Sequence, residues 1–204
     1  LDIDPQGNAS TGLGIQPKRR GIGSYGLFHG EALNRVIVES DIPGLGVVPS
    51  SPDLAGLEIE LIETEDPQFR LRKALIEKTF SENNQENTNN ILSNWDYVLV
   101  DCPPALGMLI VNAMVLADAV LVPLQCEFFA LEGLTQLLAA VEKIKIAFNP
   151  KLKIQGVVLT MFDKRNNLSD QVAQDVRSHL GDLVYDTVIP RNVRVSEAPS
   201  FGRP

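Results

Sequence analysis

Trp95-Asp96-Tyr97-Val98-Leu99-Val100-Asp101-Cys102-Pro103-Pro104 decides how this 204-residue chain is read. An unbroken apolar run, Tyr97–Val100, leads straight into a carboxylate and then into a pair of prolines. A run of that length without alternation is the pattern of a strand buried on both faces. Neither proline can continue it, because each lacks a backbone donor. Asp101 is thereby expected at the C-terminal end of a buried strand, where open parallel sheets bind their ligands.

The start of the chain has the same grammar. In Leu1-Asp2-Ile3-Asp4-Pro5-Gln6-Gly7-Asn8, side chains at i and i+2 of a strand share a face, so Asp2 and Asp4 can address one ligand. Pro5 ends that strand, and Gly7-Asn8 tolerates turn geometry. Either stretch alone is also just a capped strand end. Taken together, they predict that Asp2, Asp4 and Asp101 converge at one sheet edge. A strand closing on aspartate is the Walker-B arrangement, whose carboxylate holds Mg²⁺ directly or through water.

Short apolar runs alternate with amphipathic stretches elsewhere, which predicts an α/β fold: a mostly parallel twisted sheet with helices on both faces, in a single domain. Strands are expected at Leu45–Val48, Tyr97–Val100, Ala119–Val122, Ile154–Thr160 and Val184–Ile189, with Leu1–Ile3 the tail of another. Leu131–Phe148 places Leu131, Leu134, Leu138, Val141 and Ile144 on one helical stripe. Leu168–Leu180 repeats the pattern, with a capping sequence at Asn166-Asn167 and a stop at Gly181. Phe69–Thr79 reads as a shorter helix. Residues 81–90 (SENNQENTNN) read as an exposed polar loop.

Hydrophobic content of 44% and charged content of 22% suit a globular domain. No apolar run reaches the roughly 18 residues of a membrane span. Cys102 and Cys126 lack metal-ligand spacing and read as reduced thiols; His29 and His179 are isolated. The net charge of −8 is unevenly spread. Residues 1–150 carry ten Lys and Arg against twenty Asp and Glu, a balance of −10, whereas residues 151–204 carry eight against six, a balance of +2. An acidic protein can therefore still present a local basic face.

The stretches LDIDPQGNASTGLG, DLAGLEIEL, FRLRKAL, WDYVLVDCPPALGMLIVNAM, VPLQCEFFALEGL, LTMFDKRNNLSDQV and VIPRNVRVSEAPSFGRP together resemble the ParA/Soj chromosome-partitioning ATPases. These belong to the deviant Walker-A group that also holds MinD. The resemblance covers nearly the whole chain and implies a P-loop NTPase-like fold that uses ATP and Mg²⁺. It implies a homodimer formed around ATP, nonspecific DNA binding by that dimer, and a ParB-type partner that stimulates hydrolysis and release. It also implies a bacterial-type cytoplasmic, nucleoid-associated protein with no membrane role. Carried over by position, Asp4 would position or polarise the attacking water. Asp2 would support the Mg²⁺ shell, and Asp101 would hold it. Met161, Phe162 and Asp163 would line the adenine pocket, closed from the other side by Pro190, Arg191 and Asn192. Arg165 and Arg194 match positions that the family uses for DNA.

The basic residues also stand on their own. Arg165 follows one strand and Arg194 the next, so with Lys164, Arg191 and either Lys151 or Lys153 they are expected to form a patch that contacts phosphates without reading bases. One departure from the family concerns the phosphate loop. Gly12-Leu13-Gly14 and Gly21-Ile22-Gly23 lack the Lys-Thr or Lys-Ser that such a loop requires. The expectation is thus a partial ATPase domain spanning 1–204, truncated at both ends and inactive in hydrolysis as it stands. Within the same group the alternatives are a MinD-like membrane-associated positioning ATPase and a non-catalytic DNA-binding adaptor. The contexts of Cys102 and Cys126 do not fit the cluster-ligating cysteines of the nitrogenase iron-protein branch. Gln125 and Glu127 are left without a role.

Overall fold

The computed structural model describes residues 1–76, 79–80, 86–87 and 91–202. The chain divides into two compact units, Leu1–Leu116 with Glu197–Pro204, and Ala117–Ser196.

In the first unit the helices are α1 (Asn8–Gly12), α2 (Gly23–Phe28), α3 (Leu33–Val36), α4 (Leu54–Ile62), α5 (Arg70–Ile76) and α6 (Met108–Leu116). Leu54, Leu57 and Leu61 recur at three- and four-residue spacing, and Leu71 and Leu75 lie one turn apart. Each set forms a stripe that enters a core with Ile3, Leu27, Phe28 and Leu109. Ile59 and Ile62, off the α4 stripe, stay exposed. The helix expected over Phe69–Thr79 is shorter: Pro67–Phe69 forms a 3₁₀ turn before α5, because proline suits a first turn but not an interior. Thr79 belongs instead to β3 (Thr79–Phe80), which pairs antiparallel with β4 (Glu86–Asn87). The loop expected at 81–90 otherwise lies outside the described residues.

The strands expected at Leu1–Ile3 and Tyr97–Val100 are reduced to an isolated bridge, held by a few bonds. Leu1 N donates to Leu99 O (2.7 Å), Asp101 N to Leu1 O (2.8 Å) and Ile3 N to Asp101 O (2.9 Å), a parallel pairing of Leu1–Ile3 with Leu99–Asp101. On the other side, Asp2 N donates to Val48 O (2.9 Å). The Leu45–Val48 segment also contributes β2 (Gly46–Val47) to an antiparallel hairpin with β1 (Val38–Glu39), which the sequence did not suggest. Burial on both faces at Tyr97–Val100 is not found. Val100 packs on the core, but Tyr97 is 87% and Leu99 79% exposed. Side chains alternate along an extended chain, and among the described residues of this run only Val100 packs on the core of this unit.

The second unit is a parallel sheet in the order β5 (Ala119–Gln125), β6 (Lys153–Phe162), β7 (Val184–Pro190), with α7 (Ala130–Ala147), α8 (Asn167–Leu180) and the short α9 (Val193–Glu197). Each expected strand is present and somewhat longer. Leu134 of α7 and Val172, Ala173 and Val176 of α8 close on Val122, Leu124, Val157 and Leu159. Here too burial alternates, with Leu121 exposed between neighbours that are not. Pro123 and Pro190 sit in the outer strands of this sheet, where a missing donor costs least. α8 begins as expected: the Asn166 side chain accepts from Leu168 N (3.1 Å), and Gly181 at φ 52° ends the helix. Among the described residues, no helix is long and apolar enough to cross a membrane.

Candidate nucleotide site

In the first unit, the isolated parallel bridge between Asp2 and Asp101 brings Asp2, Asp4 and Asp101 near one another, as the two aspartate-ended stretches suggest. The three carboxylates meet different surroundings. Asp2 is buried, and its Oδ2 accepts from both the Ser10 amide (2.7 Å) and the Ser10 hydroxyl (2.6 Å). Its Oδ1 accepts from Asp4 N (3.2 Å). Asp4 is half-buried, and its Oδ1 accepts from Gln6 N (3.0 Å), an Asx turn that opens the loop toward α1. Gly7 follows in the left-handed region at φ 63°, where a Cβ would also strike the Arg20 guanidinium.

Asp101 is exposed, yet its carboxyl is held above the ordinary carboxylate range. Partial loss of solvent is the main cause, followed by the charges of Asp2 and Asp4. Next to it, the Cys102 thiol is pushed up to about 12, chiefly by burial and then by Asp101. Among the described residues, no three His, Cys, Asp or Glu side chains form a metal cage. Mg²⁺ does not need one, since it binds through one or two carboxylates plus water and phosphate oxygens. A divalent cation beside Asp101 would favour its ionised form against both the loss of solvent and the charges of Asp2 and Asp4, so this donor set fits Mg²⁺.

In the second unit, the C-terminal ends of β6 and β7 are paired. Phe162 faces Pro190 across the strands, and Arg191 N donates to Phe162 O (2.9 Å). This brings Met161, Phe162 and Asp163 together with Pro190, Arg191 and Asn192. Met161 takes φ 53°, a left-handed conformation that a side chain of its size adopts rarely and that clusters at functional sites. Asp163 accepts a fork from Arg165, Nε at 3.0 Å and Nη2 at 2.8 Å, plus the Arg165 amide at 3.0 Å. That fork holds the Asp163 carboxyl at about 2, with the Arg191 charge adding to it. The Arg165 side chain stays 88% exposed, with the other donors of its fork turned outward. Asn192 Oδ1 accepts from Arg194 N (2.9 Å) and so starts α9.

Lys164, Arg165, Arg191 and Arg194 are all exposed and follow the same ends of adjacent parallel strands. Lys151 and Lys153 do not belong with them. They stand at the opposite end of β6, whose ten residues at about 3.3 Å each span roughly 30 Å. Gln125 ends β5, and Cys126 N donates to Thr160 O (3.2 Å), so the Gln125–Glu127 turn lies at the same sheet edge as Met161. Sequence reasoning missed Ser10, Ser50 and the Met161 backbone. A serine on a short helix carries no signal of the carboxylate it caps, and a positive φ at methionine has no signature at all.

A family model for the AAA domain matches residues 1–154. The chain is 56% identical over 207 residues to the chromosome partitioning protein ParA of Caulobacter vibrioides, covering 100% of this chain and 73% of that protein. It is 44% identical over 205 residues to the sporulation initiation inhibitor protein Soj of Bacillus subtilis, covering 100% and 76%. Among solved structures, cobyrinic acid a,c-diamide synthase from Mycobacterium smegmatis with bound ADP and magnesium superposes at a TM-score of 0.80, with 30% identity over 98% of this chain and 78% of that one. The parallel sheet with its helices, and the likeness to this synthase, give the chain the α/β fold of the P-loop ATPases. Within that class, the chain belongs to the ParA/Soj chromosome-partitioning ATPases.

Proposed function

We propose that the protein is a DNA-partitioning ATPase whose ATP-bound homodimer binds DNA without sequence preference. A ParB-type partner stimulates hydrolysis and release, and the protein works in the cytoplasm on the nucleoid. The observation that carries this reading is the parallel pairing of Leu1–Ile3 with Leu99–Asp101, which sets Asp101 beside Asp2 and Asp4.

Asp4 accepts a hydrogen bond from the attacking water and orients it, as its lightly used carboxylate permits. Asp101 holds the Mg²⁺ shell, with Asp2 behind it. When bound, Mg²⁺ neutralises charge building on the β- and γ-phosphate oxygens. Met161, Phe162 and Asp163 line the adenine on one side, and Pro190, Arg191 and Asn192 on the other. Lys164, Arg165 and Arg194 take DNA phosphates, a contact that needs no base edges. No Gly-Lys-Thr loop occurs within residues 1–204, so the β/γ-phosphate cradle is assigned to no residue here.

The test is plasmid retardation with MgATP by the complete gene product that contains this chain. Arg165→Glu combined with Arg194→Glu abolishes retardation while ATP binding persists. Unchanged retardation sinks the DNA assignment.

A further inference from the structure

We propose that Asp2 is a positioning residue, acting on Asp4 through Ser10 and Ser50 rather than by touching magnesium or nucleotide. This rests on the hydrolysis reading above. The observation is a closed circuit of bonds, buried around Asp2 and Ser10 and partly buried where it reaches Asp4. Asp2 is 1% exposed, and Ser10, Ser24 and Ser50 are each 0% exposed. Asp2 Oδ2 takes both donors of Ser10, and Ser10 Oγ in turn accepts from Ser50 N (3.0 Å). Ser50 Oγ donates to the carbonyl of Asp4. Asp2 Oδ1 accepts from the amide of Asp4, and Ser24 Oγ donates to the carbonyl of Asp2 (2.7 Å).

The peptide groups flanking Asp4 are thus gripped from both sides, its amide by Asp2 and its carbonyl by Ser50. Only the Asp4 side chain projects from the circuit, bonded at one oxygen to Gln6 N. A carboxylate that must place a water needs its backbone fixed, because misplacement of about 1 Å can cost on the order of 100-fold in rate. The Asp2 carboxylate is suited to this and not to a metal. Both oxygens already accept hydrogen bonds, and burial excludes the water that completes a Mg²⁺ shell. The donors it uses are charge-assisted, the stronger kind of hydrogen bond. Ser50 comes from the segment after β2, so the circuit ties three separate stretches of chain to one catalytic carboxylate.

The experiment uses the complete gene product and measures ATP hydrolysis against both ATP and Mg²⁺ concentration. It compares the unmodified protein with Asp4→Ala, Ser50→Ala, Asp2→Asn and the Asp2→Asn/Ser50→Ala double variant. Hydrogen exchange of the Asp4–Ser10 amides is followed in parallel. Ser50→Ala removes only one hydroxyl, keeps the backbone donor to Ser10, and is the variant least prone to misfold.

Ser50→Ala and Asp2→Asn each lower kcat by about 10- to 100-fold. KM and the half-saturating Mg²⁺ concentration stay in place, the loop amides exchange faster, and the double variant is no worse than the poorer single one, as expected for residues acting as one unit. A Mg²⁺ half-saturation raised by Asp2→Asn would mean direct metal contact and overturns the proposal. Full kcat in Ser50→Ala, with hydrolysis lost in Asp4→Ala, overturns the circuit but leaves the hydrolysis reading standing. Absence of Mg²⁺-dependent hydrolysis in the unmodified protein overturns both.

Discussion

The Arg165 fork on Asp163 makes a titration prediction with a definite sign. Asp163 has its carboxyl lowered from the ordinary 3.8 to about 2, first by the side-chain fork and then by the Arg165 amide. A lowered acid stabilises the folded state above its unfolded value and loses that contribution as pH falls through the folded one. Carbon-detected NMR should place the Asp163 midpoint near 2, and Arg165→Gln should return it toward 3.8. Asp101 runs the other way. Its raised carboxyl weakens the fold as pH climbs past 3.8 toward the folded value, because the folded state holds its proton longer. Above that window the raised carboxyl is a liability, so Asp101→Asn should raise the midpoint of thermal unfolding. The Cys102 thiol, at about 12, is almost wholly protonated at pH 8. A disulfide reagent should leave it unlabelled in the native protein and modify it on unfolding; rapid native labelling would contradict its placement.

At the scale of single elements, how much was legible depended on where the information lay. α8 was readable because a local signal marks each end. Asn166→Ala should cost about 1 kcal/mol in urea unfolding, since it leaves the Leu168 amide without its cap. The core stripe between those ends is equally local, and Leu159→Ala beneath it should cost about 2–5 kcal/mol. The convergence of Asp2, Asp4 and Asp101 was legible too, because each aspartate ends an apolar stretch, although the stretches pair only through an isolated bridge. What stayed hidden is decided across distance. The exposure of Tyr97 and Leu99 depends on which helices cover a face, and no run of apolar letters records that. The Ser10–Ser50 bond joins residues forty positions apart through a serine backbone amide, the least distinctive donor there is. Lys153 and Arg165 look close in sequence, yet a ten-residue strand separates their ends.

At the scale of the molecule, charge and topology divide the work. The acidic excess lies in residues 1–150, while Lys164, Arg165, Arg191 and Arg194 follow the ends of β6 and β7. If those residues hold DNA phosphates, each contact should add about 0.9 to the slope of log affinity against log salt. Arg194→Ala should then lower that slope by about one unit without altering preference among DNA sequences. Family membership and the carboxylate edge of the first unit make ATP turnover the central claim, and Asp4 its most exposed point. The measurement is Mg²⁺-dependent ATP hydrolysis by the complete gene product and its Asp4→Ala variant, with MgATP affinity determined separately by a fluorescent analogue. If Asp4 orients the attacking water as proposed, its loss should reduce hydrolysis by about 100-fold or more while affinity for MgATP is retained. Hydrolysis that survives Asp4→Ala at the unmodified rate would contradict the account.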